Sequence, residues 1–313
     1  VAVYTHIGEA ALRAFLSNYE IGSLISFKGI AAGVENSNYV LETTSAHFIL
    51  TLYEKRVDPS DLPFYLGLMS HLSSNGFPCP LPVADQEGRV IKTLEGRPAA
   101  IVTFLNGYDL QAIKTDHCWQ LGAAMARMHE AGKDFPQTRQ NDLSISGWHE
   151  LRGKCAGQLE AHFPGLEKLI DEELATLSTL WPDALPQGAI HADLFPDNVF
   201  FLDEEFAGVI DFYFACTDAL AYDLAVAANA WCFNEGHVFS PALYEALLQG
   251  YERVRPLESE EKQALPLLCR GAALRFLLTR AHDWVFPQEG ALVVAKNPLD
   301  YEKRLKHWRD QAG

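Results

Sequence analysis

Three polar residues near the middle of the chain have the types and spacing that phosphoryl transfer needs. They lie in Gln187-Gly-Ala-Ile-His191-Ala-Asp193-Leu-Phe-Pro-Asp197-Asn198-Val-Phe-Phe201 and in Gly208-Val-Ile-Asp211-Phe-Tyr-Phe214. Asp193 is followed five residues on by Asn198, and thirteen residues later by Asp211. One carboxylate, Asp193, can accept the proton of an attacking hydroxyl. The Asn198 amide oxygen and the Asp211 carboxylate are hard donors suited to the magnesium ion that bridges nucleotide phosphates. Ile190, Val199–Phe201 and Val209–Ile210 read as short buried strands, with the polar groups on the loops beside them.

The rest of the chain must then supply a nucleotide site and a hydroxyl site. Residues 8–18 read as a helix with Leu12, Phe15 and Leu16 on one face, and 23–28, 39–43 and 48–53 as strands. The loop between the first two strands carries Gly29, Gly33, Asn36 and Asn38, and glycine N–H groups can approach phosphates closely. A helix follows from Asp61 to Gly76, then the stiff connector Pro78–Pro82 and a buried strand over 98–105. Asn106-Gly107 breaks that strand and reads as a hinge. From about residue 115 the chain turns helical, with helices over 118–132, 166–181, 219–233, 241–252 and 260–285. The pattern predicts an α+β, bilobal architecture: an antiparallel-sheet N-terminal lobe over 1–105 and a mainly helical C-terminal lobe over 106–313.

Composition narrows the class. With 313 residues, 48% hydrophobic and 21% charged, the chain is an ordinary globular protein long enough for two cores. Its formal net charge of −16 argues against a nucleic-acid partner. The six cysteines are scattered with no C-x-x-C pair, so reduced, structural thiols are expected. No leader peptide or membrane span is visible, and a cytoplasmic location is the expectation.

The segments His191-x-Asp193-x-x-x-x-Asn198 and Ile210-Asp211-Phe212 resemble the catalytic and metal-binding segments of the aminoglycoside phosphotransferase-like, choline-kinase-like group, which has the protein-kinase-like fold. Gly33-Val-Glu-Asn-Ser-Asn-Tyr39, Leu50-Thr-Leu-Tyr-Glu-Lys55, Asp61-Leu-Pro-Phe-Tyr65 and Leu274-Arg-Phe-Leu-Leu-Thr-Arg280 extend the likeness to bacterial homoserine kinases of this fold. The resemblance covers essentially the whole chain. It implies ATP and Mg2+ as cofactors and L-homoserine as the acceptor, in a monomer or homodimer. An aminoglycoside or a choline-like alcohol is the competing acceptor, and an inactive nucleotide-binding scaffold is the remote alternative.

Carried over residue by residue, the resemblance makes Asp193 the base, Asn198 and Asp211 the metal ligands, and His191 a structural histidine. Asp197 reads as a solvated loop residue. Nucleotide contacts fall to Gly33, Asn36, Asn38, Thr51 and the strand end Thr103-Phe104-Leu105, whose backbone would pair with adenine. The family's strand lysine and helix glutamate fall near Thr51 and Tyr65, and neither is present. Lys55, Arg56 or the two asparagines are the substitutes. An amino-acid acceptor needs a cation for its carboxylate, with Arg275 the first candidate and Arg280 the second. Asp218 is a candidate for the ammonium, and Asp223 reads as structural. Tyr213, Trp231, Phe233 and Trp284 are candidates for the pocket wall.

Overall fold

The structure is a computed structural model that describes residues 4–30, 36–54, 57–287 and 295–311. Gly33, Lys55 and Arg56 lie outside the described residues. The chain divides into two compact units. One holds residues up to Asn106 together with Gly208–Tyr213, and the other holds Gly107–Ala207, Phe214 onward and the C-terminal helix.

The first unit begins with α1 (Glu9–Leu16), β1 (Leu24–Gly29), β2 (Ser37–Thr43) and β3 (His47–Leu52). It continues with α2 (Leu62–Ser74), β4 (Pro82–Val83), β5 (Lys92–Leu94) and β6 (Arg97–Thr103). The sheet runs β1-β2-β3-β6-β4, with β5 paired to β6, and every pairing is antiparallel. In β2, Tyr39, Leu41 and Thr43 are buried while Asn38, Val40 and Glu42 are half-buried, as the two-residue strand period requires. The buried face joins Leu50, Ile101 and the α1 residues Leu12, Phe15 and Leu16 in one core. Asn38, Thr51 and Ala100 are cross-strand partners, so these side chains come together on the opposite face.

The second unit contains α3 (Thr115–Ala131), α4 (Ile145–Lys154), α5 (Leu166–Leu180) and β7 (Gln187–Ile190). A 3-10 turn (Pro196–Asn198) leads into β8 (Val199–Leu202), which pairs with β9 (Glu205–Val209), a strand whose last two residues belong to the first unit. Then come β10 (Cys216–Ala219), α6 (Leu220–Trp231), α7 (Pro241–Glu252), α8 (Ser259–Val285) and α9 (Leu299–Gln311). Every residue of α6 from Ala221 to Trp231 is buried, so this helix is the axis on which the unit packs. Arg270 on α8 and Glu173 on α5 form a buried bidentate pair at 2.8 and 3.0 Å. α4 and α9 are not among the helices the sequence pattern predicts. Each buries few side chains: Trp148 in the first, and Tyr301, Leu305 and Trp308 in the second.

Candidate active site

β7 and β10 pair antiparallel with Ile190 opposite Cys216, and β7 delivers the chain into the loop that carries Asp193. Ala192 takes a left-handed conformation there, with φ of 61°, a cost that surrounding contacts must offset. Those contacts come from distant elements. Both oxygens of the fully buried Asp223 carboxylate accept loop N–H groups, His191 N at 2.8 Å and Ala192 N at 2.7 Å. Arg275 on α8 donates to the Ala192 carbonyl, and Trp231 Nε1 donates to the Leu194 carbonyl at 2.8 Å. His191 is fully buried, and its Nδ1 accepts the Asp193 N–H at 3.2 Å.

Asn198 completes the loop. Its Nδ2 donates to the Asp193 carbonyl at 2.8 Å and to Asp193 Oδ2 at 3.1 Å. The amide thus orients the carboxylate with its nitrogen end and keeps Oδ1 for another partner. Asp197 is exposed, in keeping with a solvated role.

Burial would raise the Asp223 carboxyl, but the bond to His129, the charges of His129 and His191, and the His191 backbone N–H outweigh it, and the net shift is downward. His129 Nε2 lies 3.1 Å from Asp223 Oδ2, and its Nδ1 lies 2.8 Å from the Tyr251 hydroxyl. Tyr251 also accepts from Arg255, which pairs with the buried Glu261 at 3.0 Å. The loop is therefore tied through Asp223 to a chain of satisfied buried polar groups, the condition under which such networks add rigidity.

Asp211 sits in the first unit, exposed, at a left-handed φ of 65° just past β9. The segment is held close to the connector before β4. Val209 donates to the Pro78 carbonyl at 3.2 Å, and a Cβ on Gly208 would lie 2.6 Å from that same oxygen. Two residues past Asp211, the Tyr213 hydroxyl lies 3.1 Å from that of Tyr53 and also interacts with Thr51. Its ring packs edge-on against Tyr53 and Tyr65, at 5.3 and 5.9 Å. Burial pushes the Tyr213 phenol up to about 12. Thr51 in turn donates to Asn38 Oδ1 at 2.8 Å. A polar-aromatic cluster of Asn38, Thr51, Tyr53, Tyr65 and Tyr213 thus occupies the positions where the lysine and glutamate were sought.

The other expected nucleotide and substrate residues divide by what already engages them. Asn36 is buried, and its Oδ1 accepts the Glu54 N–H at 3.2 Å, so its oxygen holds the end of β3. Thr103 exchanges bonds with Leu81, through its N–H at 2.9 Å and its hydroxyl at 2.8 Å. The Phe104 N–H points to the His47 carbonyl at 3.4 Å, while Leu105 follows at the end of this unit's main segment. Arg275, only 1% exposed, is committed to the loop carbonyl, and Trp231 is fully buried with its N–H spent on Leu194. Tyr213 belongs to the tyrosine cluster. Geometry thus makes Arg275, Trp231 and Tyr213 braces, unlike the substrate contacts expected of them. Asp218 is half-buried and accepts from Asn141 at 2.7 Å. Arg280 lies against Tyr301 of α9 and pairs with Asp300 at 3.0 Å. Tyr301 and Arg304 lie outside the expected site residues, although Tyr301, Leu305 and Trp308 keep a helical 4-3 spacing that marks α9.

Residues 26–257 match the family model described as phosphotransferase enzyme family. The chain belongs to that family. The phosphotransferase is 56% identical over 306 residues to a homoserine kinase of Xanthobacter autotrophicus, covering 98% of this chain and 95% of the relative. It is 55% identical over 309 residues to a homoserine kinase of Methylobacterium radiotolerans, covering 99% and 96%. Among solved structures it resembles a spectinomycin phosphotransferase in complex with ADP and spectinomycin, with a TM-score of 0.69, 17% identity, and 97% and 95% of the two chains covered. It also resembles a choline kinase from Cryptosporidium parvum, with a TM-score of 0.70, 16% identity, and 97% and 95% covered. The α+β, protein-kinase-like fold expected from the motif spacing is the fold the phosphotransferase has. Among its described residues no helix is long and apolar enough to cross a membrane.

Proposed function

We propose that this phosphotransferase moves the γ-phosphoryl group of ATP to the hydroxyl of L-homoserine, giving O-phospho-L-homoserine and ADP. The observation that carries the substrate is identity above one half, over nearly full length, to relatives that bear the name homoserine kinase. The loop geometry supports the chemistry. The acceptor oxygen attacks the γ-phosphorus, its proton passes to Asp193, and the bond to the ADP oxygen breaks. Asn198 holds one carboxylate oxygen of Asp193 at 3.1 Å, which fixes the direction in which the base accepts.

The donor chemistry fits magnesium. In the second unit Asn198 spends its nitrogen on Asp193, so its oxygen is the end that remains for a cation; in the first unit Asp211 is an exposed carboxylate of the same hard-donor class. When bound, the ion would neutralise charge on the phosphates.

An ADP-release assay over homoserine, serine, choline and kanamycin tests the reading, with mass spectrometry of the product. Homoserine should exceed the others in kcat/KM by about a hundredfold or more, the discrimination expected of a site built around the substrate's polar groups. Asp193→Asn should lower kcat by about 10²–10⁴ and leave ATP binding intact. Absence of phosphohomoserine, or an unimpaired Asp193→Asn, would sink the proposal.

A further inference from the structure

Two arginines meet at one buried phenol in the second unit. Tyr301 on α9 is fully buried, and its hydroxyl has no hydrogen-bond partner. The guanidinium groups of Arg280 and Arg304 each lie 4.5 Å from the centre of its ring. Arg304 gives one N–H to the Asn229 carbonyl, yet its Nε is buried without a partner. Arg280 gives Nη1 to Asp300 at 3.0 Å and to the Asn297 carbonyl at 3.2 Å. Asp300 is shared further with His237, whose Nε2 lies 3.0 Å away.

Hydrogen-bond donors are therefore in surplus here, in a chain whose formal net charge is −16. A buried donor with no acceptor is costly, and where a native protein keeps one the site usually has a use for it. An anion with two acceptor oxygens fits these donors, since a guanidinium fork and a phenol O–H both donate. The cluster also lies near the Asp193 loop: Tyr301 packs on Phe276 at 5.2 Å, and Phe276 packs edge-on against Phe195 of that loop at 4.9 Å. Arg275 Nε is likewise buried without a partner, but its guanidinium lies against the Phe214 and Phe276 rings and gives an N–H to the Ala192 carbonyl.

We infer that Arg280, Arg304 and the Tyr301 hydroxyl bind the carboxylate of the amino-acid acceptor and so select an α-amino acid over a plain amino alcohol. The assignment rests on the homoserine reading. It deepens that reading by supplying a carboxylate site from α9.

The test compares L-homoserine with 3-amino-1-propanol, which keeps the hydroxyl and amine but lacks the carboxylate. KM for each acceptor and for ATP is measured in wild type, Arg304→Met, Arg304→Lys and Tyr301→Phe, with calorimetric Kd values and Tm alongside. Arg304→Met should raise KM for homoserine about 10–100-fold, the loss expected for a charge-assisted contact, and leave aminopropanol and ATP unchanged. Tyr301→Phe, which conserves volume, should raise it about 5–10-fold with Tm retained. Arg304→Lys should fall between wild type and Arg304→Met. Equal losses for both acceptors, a rise confined to the KM for ATP, or no change in Tyr301→Phe and Arg304→Lys would overturn the assignment while leaving homoserine as the substrate. No homoserine turnover by wild type would remove the substrate reading itself, and this site with it.

Discussion

At Asp223, one carboxylate sets the geometry of the Asp193 loop. Its two oxygens take the N–H groups of His191 and Ala192, which places Asp193 on a loop whose backbone is already satisfied. The cost of Ala192 in the left-handed region is met by the same bonds. Asp223→Asn keeps the shape but exchanges one acceptor for a donor that faces an N–H. It should destabilise the protein by about 3–5 kcal/mol, as expected when a buried hydrogen-bonded charge loses its match. The pH dependence follows from the downward shift of the Asp223 carboxyl. Stability from a depressed carboxyl is fully present above its unfolded pKa of about 3.9 and is lost as pH falls through the folded value. Denaturation curves of wild type and Asp223→Asn should stay a constant distance apart above about pH 5 and converge below about pH 4. A gap that persists unchanged into acid would show that Asp223 is not the ionised anchor of the loop.

Among elements, the crossing of α3 and α7 shows the tightest fit. A Cβ on Gly122 would lie 2.0 Å from the Leu247 carbonyl oxygen, and one on Gly250 would lie 2.0 Å from that of Trp119. The helices meet backbone to backbone because each offers glycine at the crossing. α3 also carries His129 toward Asp223, and α7 carries Tyr251 to His129, so the crossing sets one end of the loop's support. Gly122→Ala should cost about 3 kcal/mol through overpacking. For a unit of this size that lowers Tm by roughly 6–12 °C in a thermal melt. An unchanged melting curve would mean that the helices separate freely. α9 shows a different use of an element. Its sequence is mostly charged, yet its three buried residues dock it, and docking delivers Arg304 and Tyr301 beside α8.

For the molecule as a whole, the cysteines test compactness. All six are free and buried. Burial pushes the Cys79 thiol up to about 12 and raises Cys216, Cys232 and Cys269 as well. The thiolate is the reactive form, so native thiols should be inert at neutral pH. A chromogenic disulfide reagent should titrate almost none of them in buffer and all of them in guanidinium, and added reductant should leave Tm unchanged. Rapid native labelling would contradict this packing.

Much of this protein was legible in its residues alone. Alternation in Tyr39–Thr43 marked a sheet strand, and the Leu12, Phe15, Leu16 stripe marked α1, because burial on one face imposes a period that sequence displays. The spacing Asp193, Asn198, Asp211 pointed to a kinase-like chemistry because those groups are local to one stretch. Only the tertiary structure decided what holds that stretch. Its braces, His129, Asp223, Trp231 and Arg275, come from helices far along the chain, and no local period encodes which carbonyl a distant arginine will meet. Long-range partners are chosen by packing, as with Tyr213 at the positions sought for the lysine and glutamate. Arg275 looked like a free cation on a helix face and is instead a clamp. The donors left over, the Arg304 Nε and the Tyr301 hydroxyl, become visible only once every other bond has been assigned.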